Sequence, residues 1–210
     1  VGGDGWNEGA GWVPIGTQAE PFTGSFDGNG FIITGLYIDR KAIHYVGLFG
    51  YIDSVNVIQN VELEAINVTG EGVPSVYGGP PSYLSTVGSL AGCIDNGTIT
   101  NCRAEGSVTA IDYGTAGGLM GRSNNCIIAD CRTEVNVTGG TCGGLVGNSN
   151  NSIIDDCCAQ VGVQGSVVSE GNGGGLVGRS EDCTISNCRA EVSVTGSCWV
   201  GGLVGYNIGS

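Results

Sequence analysis

Gly118-Leu119-Met120-Gly121, then Ile128-Ala129-Asp130-Cys131, then Glu134-Val135-Asn136-Val137-Thr138-Gly139: the run from 118 to 139 decides the fold, because the chain repeats it. The Gly-Leu-x-Gly core, or a close variant, recurs at Gly47-Leu48-Phe49-Gly50, Ser89-Leu90-Ala91-Gly92, Gly144-Leu145-Val146-Gly147, Gly175-Leu176-Val177-Gly178 and Gly202-Leu203-Val204-Gly205. Successive leucines lie 42, 29, 26, 31 and 27 residues apart. An Ile-x-Asn/Asp-Cys step follows four of the cores, ending at Cys102, Cys131, Cys157 and Cys188; the earliest copy has Ile58-Gln59-Asn60-Val61 instead.

Period-two alternation, β-branched residues and Gly/Asn punctuation argue for short strands, and no helical period is present. A strand-only unit this short cannot bury its own apolar face, but stacked copies can. Propeller blades need about 40 residues in an antiparallel meander, which these units lack. The expected fold is all-β, a single parallel β-solenoid over 1–210 of about six to seven coils. Residues 1–44 would form N-terminal capping coils and 45–210 the repeats, with a protruding loop at 71–85 that carries Pro74, Pro80, Pro81, Tyr77 and Tyr83. The column Asn60, Asn101, Asp130, Asp156, Asn187 is expected at a corner, where such side chains satisfy turn backbone and stack on one another.

Composition narrows the function. Glycine supplies 41 of 210 residues, without the Gly-X-Y period of collagen, and Pro is only 5. Seven basic residues against twenty acidic ones give −13, a field that repels a phosphate backbone, so nucleic acid is excluded as a partner. No apolar stretch reaches the ~18 residues of a membrane helix. Ten cysteines beside one histidine, with no Cys-x-x-Cys, point away from zinc and redox catalysis and toward an oxidising, extracellular or cell-surface location.

The quoted cores resemble the GLUG motif of bacterial and archaeal surface proteins. The run Trp12-Val13-Pro14-Ile15-Gly16 and Pro21-Phe22-Thr23-Gly24-Ser25-Phe26-Asp27-Gly28-Asn29-Gly30 is similar to the segment that leads such arrays. The resemblance implies a right-handed β-helix, found in adhesins, in large cell-wall proteins and beside the protease domain of IgA-cleaving metallopeptidases, and not itself known as a catalyst. Richness in cysteine is the departure from the family.

Candidate sites are weighed against that background. A zinc peptidase needs His-Glu-x-x-His, whereas His44 stands alone in Ala42-Ile43-His44-Tyr45, so no catalytic residue is assigned. The acidic doublets Asp155-Asp156 and Glu181-Asp182 fall where turns favour Asp. Arg103/Glu105, Arg132/Glu134 and Arg189/Glu191 read as a surface charge ladder across coils. No cofactor is expected; loosely bound calcium, suggested by Asp27-Gly28-Asn29-Gly30 and the acidic surface, stays open. Structural disulfides are expected within coils from Cys93, Cys102, Cys126, Cys131, Cys183 and Cys188, with column neighbours one coil apart as the other arrangement. Sequons at Asn67, Asn96, Asn136 and Asn150 matter only in a glycosylating host.

The C-terminal run Val204 to Ser210 carries no polar cap, so a further coil is expected to complete it. That coil belongs either to a longer chain or to a second copy, and the reading adopted is head-to-tail stacking into a surface fibre, with Trp6, Trp12, Trp199 and Tyr206 as contacts. The expected function is a non-enzymatic structural subunit. The alternatives are a stalk or glycan-binding adhesin, binding glycans or a host surface through Tyr77, Tyr83 or Trp199, and a polysaccharide-acting β-helix enzyme.

Overall fold

The computed structural model describes residues 6–53, 55, 57–74, 83–165 and 171–209. Each repeat is one coil of four strands. In the coil holding Leu119 these are Thr115–Gly117, Met120–Asn124, Ile127–Ala129 and Arg132–Gly139. Corresponding strands of successive coils pair in parallel, giving four sheets, called first to fourth in the order the chain visits them. Among the described residues five coils have all four strands, and partial coils flank them. The protein is therefore a parallel β-solenoid.

Register converts the sequence repeat into side-chain columns. Ile58, Ile99, Ile128, Ile154 and Ile185 sit on one another in the third sheet. The core leucines follow one another between the first and second sheets, each N–H from Leu90 to Leu176 donating to the next leucine's carbonyl at 2.8–2.9 Å. Leu90, Leu119, Leu145 and Leu176 are fully buried. Glycines flank the leucine because neighbouring coils meet there. A Cβ at Gly144 would strike the Gly175 carbonyl oxygen and lie 2.7 Å from the Ala159 Cβ.

The bends on either side of the third sheet use a left-handed residue. Asn60, Asn101, Asp130, Asp156 and Asn187 have φ of 48–54°, as do Asn96, Asn125, Asn151 and Asp182 at 48–60° on the preceding bend. Asn and Asp tolerate this region because their short polar side chains bond locally. The first of these columns was expected at a corner and is there.

At the N-terminal end the chain lies across the first complete coil. Ile15 and Phe22 bridge in parallel to Phe49 and Ile52, and the Trp12 indole donates to the Leu48 carbonyl at 3.1 Å. The expected loop begins and ends as an antiparallel pair, Val73–Pro74 with Tyr83–Leu84; Tyr77, Pro80 and Pro81 lie outside the described residues.

The within-coil disulfides are a correction. All ten cysteines are free thiols, and for the two Cys-x4-Cys pairs the extended strand between them is the reason. Cys126 and Cys131 stand at opposite ends of the extended strand Ile127–Ala129. At about 3.3 Å per residue this keeps their Cα atoms beyond the ~7 Å a disulfide spans. The same geometry separates Cys183 from Cys188 across Thr184–Ser186, while Cys93 lies inside the second-sheet strand Ala91–Asp95, a bend and the strand Thr98–Thr100 before Cys102. The cysteines line up between coils instead. Cys102, Cys131, Cys157 and Cys188 continue the Val61 position, shown by the bonds Arg103 N to Val61 O, Arg132 N to Cys102 O, Cys158 N to Cys131 O and Arg189 N to Cys157 O. Cys126, Ser152 and Cys183 form a second column, with Cys126 N on Ser152 Oγ at 3.1 Å and Ser152 N on Cys183 Sγ at 3.4 Å.

Burial pushes the Cys142 thiol up to about 12 and the Cys126 thiol up to about 11. Hydrogen bonds to Cys102 and Cys157, together with burial, hold Cys131 well above its usual value. Two predictions follow from this packing. Leu145→Ala should cost about 2–5 kcal/mol in urea unfolding, and Gly144→Ala more, since backbone rather than a cavity must give; a Gly144→Ala protein as stable as wild type would contradict the close coil contact. A thiol raised on folding keeps its proton in the native state while the unfolded chain loses it. Under reducing conditions stability should thus be full below about pH 9 and fall as pH rises toward 11–12. Cys142→Ala should flatten that slope in thermal melts, and a slope unchanged by it would show that the thiol is not buried.

Candidate functional site

Side-chain ladders run along the outside of the solenoid, one for each column. At the bend after the third sheet, Asn101 Nδ2 donates to Asn60 Oδ1 at 2.7 Å and Asn60 Nδ2 to Asp27 Oδ1 at 2.9 Å. The preceding bend carries Asn151 to Asn125 at 2.6 Å, Asn125 to Asn96 at 3.3 Å and Asn96 to Asp53 at 3.2 Å. A third ladder joins Asn150 to Asn124 at 2.8 Å and Asn124 to Asp95, which also accepts from the Tyr51 hydroxyl. The sequence reading had found only the first of the three.

The fourth sheet carries the expected charge ladder. Arg103 reaches Glu62 at 3.0 Å, Glu134 at 3.2 Å and Glu105 at 3.5 Å, while Arg132 pairs with Glu134 and Arg189 with Glu191. Gln160 links the last two steps, accepting from Arg132 and donating to Glu191 at 2.8 Å. Such exposed and half-exposed pairs are screened by solvent and add little to stability.

These networks account for several residues read as candidates. Asp27 accepts from the Asn60 and Gln59 amides and the Asn29 N–H, which together hold its carboxyl below the usual range. Asp155 is held low in the same way by Ser186 and Asn187. Among the described residues no group of three or more His, Cys, Asp or Glu is arranged to hold a metal. His44 is exposed at the start of the first sheet, its carbonyl accepting from Thr86 N at 2.6 Å. Asn67 and Asn136 are exposed on the fourth sheet, whereas Asn96 and Asn150 are members of the amide ladders.

The residues expected at the ends have separate placements. Trp6 opens a short turn, Trp6–Gly9, and Trp12 packs against the core as part of the N-terminal covering. Trp199 and Tyr206 stack at 4.7 Å on the last coil, where Trp199 is 49% exposed. Close to the N-terminal end an apolar cleft of about 390 Å³ opens between residues 13–19 and 42–45, beside the first strand of the first sheet, Tyr45–Val46.

The feature that the sequence did not signal is on the outer side of the second sheet. Arg122, Asn148, Arg179 and Tyr206 occupy one register column, and Asn124, Asn150 and Glu181 the column two residues on. Arg122, Asn148, Arg179, Asn150 and Glu181, with Asn151 and Asp182, line a polar groove of about 480 Å³. Arg122 Nε donates to Asn124 at 3.1 Å, and Arg179 pairs with Glu181 at 3.2 Å while lying 5.8 Å from the Tyr206 ring centre. Only the register brings these residues together, since 84 positions of chain separate Arg122 from Tyr206.

Known proteins match this architecture. The family described as "The GLUG motif" matches residues 83–109, which contain the variant core Ser89-Leu90-Ala91-Gly92, and 169–195, which contain Gly175-Leu176-Val177-Gly178. Halomucin of Haloquadratum walsbyi is 37% identical over 137 residues, 63% of this chain and 1% of its own length. A Gly-rich membrane protein of Evansella cellulosilytica is 40% identical over 88 residues, 42% of this chain and 10% of its own. The chain thus corresponds to a small part of both relatives. A solved structure from Bacteroides ovatus, described as an immunoglobulin A1 protease, superposes with a TM-score of 0.55 at 19% identity, covering 91% of this chain and 73% of that one; the likeness is one of fold. The chain thus carries the GLUG motif at two sites within a parallel β-solenoid of five complete, in-register coils.

Proposed function

We propose that the chain is a non-enzymatic structural element of the cell surface, a rigid solenoid whose coils continue head to tail into a fibre. The observation that carries the reading is the unbroken parallel register of five complete coils, which can be continued without change of geometry. Leucines inside the stack are fully buried, whereas Leu203 is 37% exposed and its neighbour Val200 46%. The strands Val200–Gly201 and Val204–Ile208 each pair on one side only, among the described residues. Tyr45–Val46 likewise pairs on one side, beside the apolar cleft near Ile43. Continuation of the stack would pair the free first-sheet edges at Val200–Gly201 and Tyr45–Val46, and between copies that is the geometry of a non-closing heterologous contact.

A surface location is supported by the GLUG matches and by the names of the two relatives. The small share of those relatives that is covered favours a second reading, in which the same solenoid is a stalk segment of a longer surface protein and the next coil comes from the same polypeptide. Backbone ladders, apolar columns and stacked amides would give such a segment stiffness in either setting. Electron microscopy of the purified chain, with sedimentation at several concentrations, separates the two. Head-to-tail stacking predicts fibres with a rise per copy near 30 Å, about six coils at ~4.8 Å each, dispersed by Leu203→Arg or Ile43→Arg. Isolated short rods at every concentration would overturn the fibre and leave the stalk.

A further inference from the structure

The structural reading leaves the thiols unused, and they are unevenly placed. Cys93 lies between Tyr51 and Arg122 in its column, and Cys158 between Arg132 and Arg189. In the column of Cys126 and Cys183, Ser152 comes between the two. Cys102, Cys131, Cys157 and Cys188 differ, because there thiol lies on thiol through four coils.

This column is at the bend after the third sheet. Cys102, Cys131 and Cys157 are at most 2% exposed, and Cys188 is partly exposed. The sulfurs are within hydrogen-bonding reach of one another: Cys131 bonds Cys102 and Cys157, and Cys157 bonds Cys188. Equivalent atoms of in-register parallel coils are held ~4.8 Å apart. That spacing is too wide for a disulfide, whose Cβ atoms must come within about 3.5–4.5 Å of each other. It matches a linear sulfur–metal–sulfur bridge instead, since two bonds of about 2.3 Å in line span ~4.6 Å. Among the described residues no three such ligands surround one point, which disfavours tetrahedral zinc. Sulfur ligands in pairs suit a soft monovalent cation of the Cu(I) class.

We propose that the column binds soft, thiol-seeking monovalent cations, each held in line between the sulfurs of two successive coils. The pairs Cys102–Cys131 and Cys157–Cys188 make two sites that share no sulfur. Each ion displaces one thiol proton to solvent, so a thiolate and a thiol hold it and the apolar core gains no net charge. Ions enter at Cys188, the partly exposed member. The sites are independent of the fibre reading, since both sulfurs of each pair belong to one chain.

The test is anaerobic titration of the reduced full chain with Cu(I), supplied as its acetonitrile complex, followed by gel filtration and native mass spectrometry. Wild type should retain two ions per chain. Cys131→Ser combined with Cys157→Ser leaves no thiol beside another in the column and should lose both ions. Serine fits there, since Ser152 in the neighbouring column bonds the carbonyl two residues back just as Cys131 and Cys157 do. Cys158→Ser, outside the column, should leave both ions bound. X-ray absorption of the copper-loaded wild type should show two sulfur neighbours, a readout that does not depend on how the double variant folds. Four results would overturn the proposal: no copper retained by wild type, as many ions on the double variant, three or four sulfurs around the metal, or a purified chain in which Cys102–Cys131 or Cys157–Cys188 is already a disulfide.

Discussion

Every column in the molecule exists because successive coils hydrogen-bond in parallel and in register. Parallel pairing at ~4.8 Å puts each residue directly over its counterpart one repeat earlier. A residue type tolerated once must then be tolerated five or six times in contact with itself. Apolar side chains meet that condition inside, as the Ile58 to Ile185 column shows. Amides meet it outside, because each has both a donor and an acceptor and can bond its own copy, as Asn125 does with Asn96 and Asn151. Charges meet it only with help: Arg103 and Arg132 are stacked, and the glutamates beside them separate the like charges.

The same constraint explains why the core is polar in places. In the second sheet the column that begins with Ile52 and Ile94 continues as Ser123, Ser149 and Ser180, all buried. Ser123 and Ser149 bond each other at 2.9 Å, and Cys183 lies 3.4 Å from Ser149 Oγ. Small hydroxyl and thiol residues form a seam there, parallel to the leucine column. It offers less apolar area, but packs tightly and pairs most of its polar atoms.

Much of this was legible beforehand, and for a definite reason. A repeat of 26 to 31 residues with period-two strands has few folds open to it, so the solenoid, the Leu and Ile columns, the Asn60 to Asn187 corner and the Arg-x-Glu ladder could all be read from spacing. Cysteine pairing was misread because proximity in sequence, Cys126 to Cys131, was taken for proximity in space; an extended strand makes those two positions distant and the neighbours one coil away close. The buried serines were missed because a hydroxyl residue in an alternating pattern is ordinarily assigned to the solvent face.

By itself the sequence determined the architecture, since the repeat spacing dictates which residues can stack, and it displayed the GLUG motif that matches at two of the coils. The tertiary structure alone decided which columns lie side by side. Arg122, Asn148, Arg179 and Tyr206 come from four different coils, and nothing in their local sequence marks them as a set. They become one column only when the register has been set, because neighbours across a parallel sheet are separated along the chain by a whole repeat.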